Sequence, residues 1–241
     1  MHAKIREIQG KFMQSLIDIA VKYRMMLWSG TQNTLVISIL TIFFGLIFGT
    51  LLAFLKISKL KVLRWFANIY VEIIRGTPVL VQIAIVFYGL PMIGFRMPKI
   101  VIAGIDYERL FTGILALSIN TTAYVCEIIR SGILSIDKGQ SEASRSLGFS
   151  APETMIFVVL PQAVKNILPA LGNEFVTIIK TSSQVSVIGM AELMYAADTI
   201  RGISFKPMEP LIIIAAIYFV ITFTLSRGIS ALEAKLRKGT R

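Results

Sequence analysis

Asn120, Tyr124 and Glu127 stand at spacings of four and three in an otherwise apolar run, with Arg130 one turn further on. On a helix they share one face. Later in the chain Asn173, Thr177 and Lys180 repeat the pattern, preceded by Asn166 and followed by Gln184. An amide, a phenol, a carboxylate and an ammonium on one stripe are groups that hold and pass a polar solute or an ion. They do not resemble a catalytic set: the sequence contains no GxxxxGK[ST] loop, no HExxH helix and no Cys/His cluster. Ionisable groups at membrane depth cost several kcal/mol unless they face a bundle interior or a wet cavity, which favours a pathway lining. The plainer alternative is interhelical glue, with Glu127 and Arg130 pairing to anchor a helix end.

The elements that must carry these stripes are membrane helices. Of 241 residues, 55% are hydrophobic and 16% charged, and the mean hydropathy is +0.72, too apolar for an ordinary soluble domain. Uncharged runs cover residues 25–55, 76–95, 110–126 and 210–226. A further apolar stretch, 154–179, is interrupted by Pro161, Lys165, Pro169 and Glu174, and is expected to make a fifth span with a break at Pro161. The fold class expected is therefore an all-α integral membrane protein with five transmembrane helices. Two lesser helices accompany them, one amphipathic at the N-terminus and one short and polar between spans three and four.

The lysines and arginines give the orientation. Lys56, Lys59, Lys61 and Arg64, then Arg130, Lys138 and Arg145, then Arg227, Lys235, Arg237, Lys238 and Arg241 follow spans one, three and five, twelve in all. The alternate loops hold five: Arg96, Lys99, Arg109, Arg201 and Lys206. By the positive-inside rule the first set is cytoplasmic, so the N-terminus lies outside and the C-terminus in the cytoplasm. The net charge of +11 thus reflects topology and gives no reason to expect nucleic acid.

Residues 1–27 carry Ile5, Ile8, Phe12, Leu16, Ile19, Tyr23 and Met26 at spacings of three and four, with no signal-peptide pattern. This segment reads as an amphipathic helix in the membrane interface or against a partner protein, ahead of a transmembrane domain over 28–241. Cys126, the sole cysteine, reads as a small buried hydrophobe. Gly45 and Gly49 form a GxxxG spacing suited to close helix packing. Gly76 and Pro78 can break a helix after Glu72 and Arg75, which are spaced to pair.

Residues 131–152 form the polar connection placed in the cytoplasm. Ser141 to Leu147 has helix-forming composition, with Gly148 as its stop and Pro152 suited to the first turn of the next helix. Ala143 and Ser144 offer little bulk, so such a helix can lie flush in a groove on another protein.

The run Glu142-Ala143-Ser144, then Gly148, then Val158-Val159-Leu160-Pro161, resembles the EAA loop of the permease subunits of ABC importers. Arg75-Gly76-Thr77-Pro78, Glu127-Ile128-Ile129-Arg130-Ser131-Gly132 and Lys180-Thr181-Ser182-Ser183 are similar to the polar amino acid uptake group of that family. Ser144 stands where Ala is usual. The resemblance implies that Glu142, Ala143, Ser144, Leu147 and Gly148 form a coupling helix seated in a separate ABC ATPase. It further implies two ATPase copies that bind ATP and Mg, a second permease subunit, identical or not, and an extracytoplasmic amino-acid-binding protein. This chain would itself carry no cofactor and be no enzyme; it would sit in a bacterial cytoplasmic membrane and move a polar amino acid by alternating access, with Asn120, Tyr124, Glu127, Asn173, Thr177 and Lys180 as substrate-binding candidates. The competing readings are a self-sufficient secondary transporter or channel using Glu127 as a proton or cation relay, and a non-transporting scaffold.

Overall fold

The computed structural model describes residues 2–95, 100–102 and 105–238. The order is α1 (His2–Lys22), α2 (Arg24–Ile57), α3 (Lys61–Arg75), α4 (Val79–Met92), β1 (Val101–Ile102), β2 (Ile105–Asp106), α5 (Tyr107–Leu134) and α6 (Lys138–Ser146). Then come α7 (Ala151–Glu153), a π-helical turn (Thr154–Val159), α8 (Leu160–Thr181), a 3₁₀ stretch (Ser182–Ile188), α9 (Leu193–Ser204) and α10 (Glu209–Lys238). The two short strands pair antiparallel, Val101 with Asp106 and Ile102 with Ile105. Four helical stretches are long and apolar enough to cross a membrane, and five if α3 and α4, separated only by Gly76-Thr77-Pro78, make one broken span. The break comes where glycine and proline forecast it. Arg96, Lys99 and Arg241 of the charge count, and the side chains of Ile5, Ile8, Arg237 and Lys238, lie outside what is described.

The chain divides into two compact units. One comprises residues 1–40, 79–116 and 179–223. Its core joins Ile19 and Leu27 to Leu193, Ala197, Ile200 and Ile214, with Tyr23 and Met26 packed against them. The C-terminal half of the α1 stripe is therefore buried on its own chain, while Met13, Ile17 and Val21 on another face stay exposed. Ser15 Oγ donates to Glu209 Oε1 at 2.9 Å, tying α1 to the start of α10. At the N-terminus of α9, the buried Glu192 carboxylate accepts from the Met194 and Tyr195 amides at 2.9 and 2.8 Å and from the Tyr218 hydroxyl at 3.0 Å. A capping carboxylate satisfies amides that the first turn leaves unpaired. Thr34 Oγ1 accepts from the Leu193 amide at 3.2 Å and Asn33 Nδ2 donates to Ala191 O at 2.6 Å, so α2 holds the same turn.

The other unit comprises residues 41–78, 117–178 and 224–241. Its core is built from Leu52, Ala53, Ala67, Val71, Ala123, Val125, Cys126, Ile129, Ile133 and Ile167. Gly45 and Gly49 serve packing within the chain. A Cβ at Gly49 would lie 2.6 Å from Val125 Cγ1, and one at Gly45 would meet Thr121, so the spacing lets α2 press on α5. Tyr70 donates its hydroxyl to Ile119 O at 2.8 Å and fixes α3 to α5.

Pro161 does not interrupt the span. It occupies the first turn of α8, just after the π-helical turn, where the Leu160 amide reaches back five residues to Met155 O. The wider turn absorbs the amide that proline lacks, so the helix runs on. Upstream, Ser150 and Glu153 form a capping box: the Ser150 amide donates to Glu153 Oε2 at 2.7 Å and Ser150 Oγ accepts from the Glu153 amide.

Candidate functional site

In the second unit α3, α5 and α8 line a wide-open cavity of about 480 Å³. Its polar wall comprises Arg75, Tyr124, Glu127, Ser131, Asn166 and Glu174. The positions follow from helix geometry: Tyr124, Glu127 and Ser131 recur at three and four on α5, and Asn166, Ala170 and Glu174 at four on α8. Bare backbone at Gly132 brings the helices together, since a Cβ there would strike Ile167.

Glu127 is the electrostatic centre of this wall. Lys56 Nζ donates to its Oε1 at 2.5 Å, and Arg130 reaches Oε2 through Nη2 at 2.9 Å and Nε at 3.2 Å. Arg75 Nη1 stands 4.0 Å from Oε2. Three cations thus surround one carboxylate whose side chain is 16% exposed. With both oxygens engaged, Glu127 has little acceptor capacity left, and its first effect is to hold positive groups at membrane depth. Arg75 is the cation most open to the cavity, its side chain 46% exposed and its guanidinium 5.4 Å from the Tyr124 ring centroid. Although spaced to pair with Glu72, it turns towards α5 instead. Glu174 brings a second carboxylate to the wall, so the cavity presents a cation and an anion together.

Of the stripe residues, Tyr124 and Glu127 meet at this cavity. Asn120 is half-buried on α5 and is not part of the wall; Asn173, Thr177 and Lys180 are exposed on α8. The α8 face that reaches the cavity is rotated one position from that stripe, to Asn166, Ala170 and Glu174. The regular spacing of four in those residues was a visible signal. Lys56 and Arg75 gave none, because nothing in the sequence says which span they approach.

The same unit carries α6. Asp137 caps its start by accepting from the Gly139 amide at 2.6 Å. Its end is a Schellman turn: the Phe149 amide donates to Ser144 O at 3.3 Å and the Gly148 amide to Arg145 O at 3.1 Å, with Gly148 at φ +90°. Glu142, Ala143, Leu147 and Gly148 are exposed, and Leu147 presents 80% of its surface. Ser144 faces the other way: it is buried, and its hydroxyl pairs with that of Thr154 at 3.0 Å. Serine at this position therefore pins α6 to the π-helical turn.

Residues 42–238 match the protein family described as the inner membrane component of binding-protein-dependent transport systems. The chain is 40% identical over 209 residues to the arginine transport system permease protein ArtQ of Bacillus subtilis, covering 86% of this chain and 91% of that one. It is 36% identical over 213 residues to the protein named "Probable glutamine ABC transporter permease protein GlnM" from the same organism, covering 88% and 94%. Among solved structures, a chain of an amino acid ABC transporter crystallised with histidines superposes with a TM-score of 0.83 at 45% identity, over 89% of this chain and 96% of that one.

Proposed function

We infer the function of this chain from the family to which it belongs, the inner membrane components of binding-protein-dependent transport systems. It is the membrane-spanning permease subunit of an ABC importer, and hydrolysis of ATP belongs to a separate subunit. Its cargo is a polar amino acid. The observation that carries this reading is that Arg75 on α3 and Glu174 on α8 line the same cavity. A zwitterion needs a cationic donor for its carboxylate and an acceptor for its ammonium, and it loses several kcal/mol on leaving water unless both are met. Arg75 offers the first and Glu174 the second, with Tyr124 and Asn166 beside them. Relatives named for arginine and for glutamine agree with a site that reads the shared α-amino acid group.

Glu127 holds Lys56, Arg75 and Arg130 in register and so shapes the cavity, rather than receiving the ammonium itself. A proton or cation relay at Glu127 fits poorly, because both of its oxygens are already engaged by Lys56 and Arg130, and the three cations around it repel a further one. Asn120, Asn173, Thr177 and Lys180 are reserved for a path completed by a second permease subunit. The exposed surface of α6, with Leu147 at its tip, docks into one of two ATPase copies that bind ATP and Mg²⁺, and an external binding protein delivers the cargo. The N-terminus lies outside and the loop carrying α6 in the cytoplasm. Copurification of the chain with its ATPase, followed by uptake into proteoliposomes, tests the assignment: transport that needs ATP and the binding protein supports it, and transport by this chain alone refutes it.

A further inference from the structure

Lys59, Lys61 and Arg64 fall within six residues where α2 turns into α3. The turn is ordered: Ser58 Oγ accepts from the Leu60 amide at 3.2 Å, and Leu60 O accepts from the Arg64 amide at 3.2 Å. All three cationic residues are exposed, and among the described residues none of them makes an ion pair. The one carboxylate on α3, Glu72, lies about three turns from Lys61. Lys56, just before the turn, is by contrast held by Glu127. Like charges this close repel one another, so the turn complements an anion that the chain itself does not supply.

Large apolar side chains are interleaved with these cations. Val62 is 76% exposed and Trp65 65%, and Leu60, Phe66 and Ile73 are exposed as well. Val62, Phe66 and Ile73, spaced four and seven apart, share one face of α3, while Ala67 and Val71 are buried on another. Lys61 and Trp65, four apart, border the exposed face at the start of the helix. Just before the turn α2 exposes Phe48, Leu51 and Phe54. A surface both apolar and cationic matches the boundary between acyl chains and headgroups, where tryptophan gathers and lysine and arginine extend their charges to phosphate. A soluble anion would meet the cations and leave the apolar face bare.

We propose that the turn from α2 into α3 binds an anionic phospholipid, with Lys59, Lys61 and Arg64 on the headgroup phosphate and Val62, Trp65 and Phe66 along the acyl chains. The binding stands on the charges and the apolar face. The leaflet, cytoplasmic, rests on the orientation inferred above and is decided separately by thiol labelling of Lys61→Cys. The turn also joins Lys56, which holds Glu127, to the helix that ends in Arg75, so its occupation bears on the transport cavity.

Trp65 is itself the probe, because Trp28 is the only other tryptophan. The full chain carrying Trp28→Phe is reconstituted in phosphatidylcholine vesicles that contain a minor share of bromine-labelled phosphatidylglycerol or of bromine-labelled phosphatidylcholine. Quenching of Trp65 fluorescence gives the relative affinity for the two. The anionic lipid should be preferred about tenfold or more, since each cation at an anionic surface contributes about fivefold. Lys59→Gln with Lys61→Gln should remove most of that preference, and Lys59→Arg with Lys61→Arg should keep it. Arg227→Gln with Lys235→Gln, which removes the same charge elsewhere, should leave it unchanged, and excess glycerol phosphate should not compete. Equal quenching by the two lipids overturns the site. Equal losses in the two glutamine pairs reduce the preference to net charge and overturn it as well, and competition by glycerol phosphate overturns the assignment to a lipid. In the complex with its ATPase and binding protein, phosphatidylglycerol should speed ATP-driven uptake, and Lys59→Gln with Lys61→Gln should erase the gain. That arm rests on the transport reading: uptake indifferent to the lipid overturns the link to the cavity, whereas no uptake in any lipid counts against the transport reading, and the quenching still decides the site.

Discussion

Lys56 Nζ lies 2.5 Å from Glu127 Oε1, joining the last turn of α2 to the C-terminal third of α5 across the largest gap in sequence among the contacts of that carboxylate. Arg130 is a local partner one turn away, whereas Lys56 is a tertiary one, so the pair makes α2 and α5 a single structural piece. Glu127→Gln leaves Lys56, Arg75 and Arg130 without their shared anion and should destabilise the detergent-solubilised protein by about 1–3 kcal/mol. Lys56→Met in the Glu127→Gln background should recover part of that loss, read as a rise in thermal midpoint. Strictly additive losses would show that the two residues do not act as a pair.

At Gly148 the strain is conformational. The residue sits at φ +90° with open space around its Cα, so a new side chain meets no neighbour. Gly148→Val should nevertheless cost about 1–2 kcal/mol through the left-handed backbone and undo the Schellman turn that ends α6. Gly148→Asn should be milder. Substrate-stimulated ATP hydrolysis should follow the order Gly, Asn, Val, with membrane insertion unchanged in all three; equal activity in all three would remove the end of α6 from coupling.

Burial pushes the Glu192 carboxyl up to about 7, against the hydrogen bonds that favour its charge. Its folded value lies above the ordinary 4.5, so the native state holds the proton more tightly than the unfolded chain does. The stabilisation is complete below about 4.5 and is lost as pH rises towards about 7, a change of about 3 kcal/mol. Glu192→Gln keeps an acceptor for the Met194 and Tyr195 amides and should flatten the dependence of thermal midpoint on pH between those values. An unchanged slope would assign it to another group.

Orientation is tested by labelling. In a Cys126→Ala background, single cysteines replacing Lys61 or Lys138 should resist an impermeant thiol reagent in intact cells, and one replacing Lys206 should react. Labelling at Lys138 from outside would place α6 on the wrong side for an ATPase.

Much of this architecture was legible in the sequence because membrane helices announce themselves by composition. The apolar runs located α2, α5 and α10, Gly76 and Pro78 marked the break between α3 and α4, and Gly148 marked the end of α6. The π-helical turn before Pro161 was not legible, because it depends on how the backbone redistributes one missing donor. The wall of the main cavity was half legible. Tyr124 and Glu127 share a face whatever their neighbours do, but which face of α8 opposes them is set by packing at Gly132 and Ile167, and that selects Glu174 over Asn173. Ser144 looked like a small residue on a docking surface; only its contact with Thr154 shows that it points inward.

The most direct test of the transport assignment is initial-rate uptake of labelled L-arginine and L-glutamine by proteoliposomes holding the permease, its ATPase and its binding protein. Wild type should accumulate at least one of them in an ATP-dependent manner. Arg75→Gln and Glu174→Gln should each lower that rate about tenfold or more, the cost of losing one charged partner of the zwitterion, while the ATPase still copurifies. Wild-type rates in both variants would contradict the account.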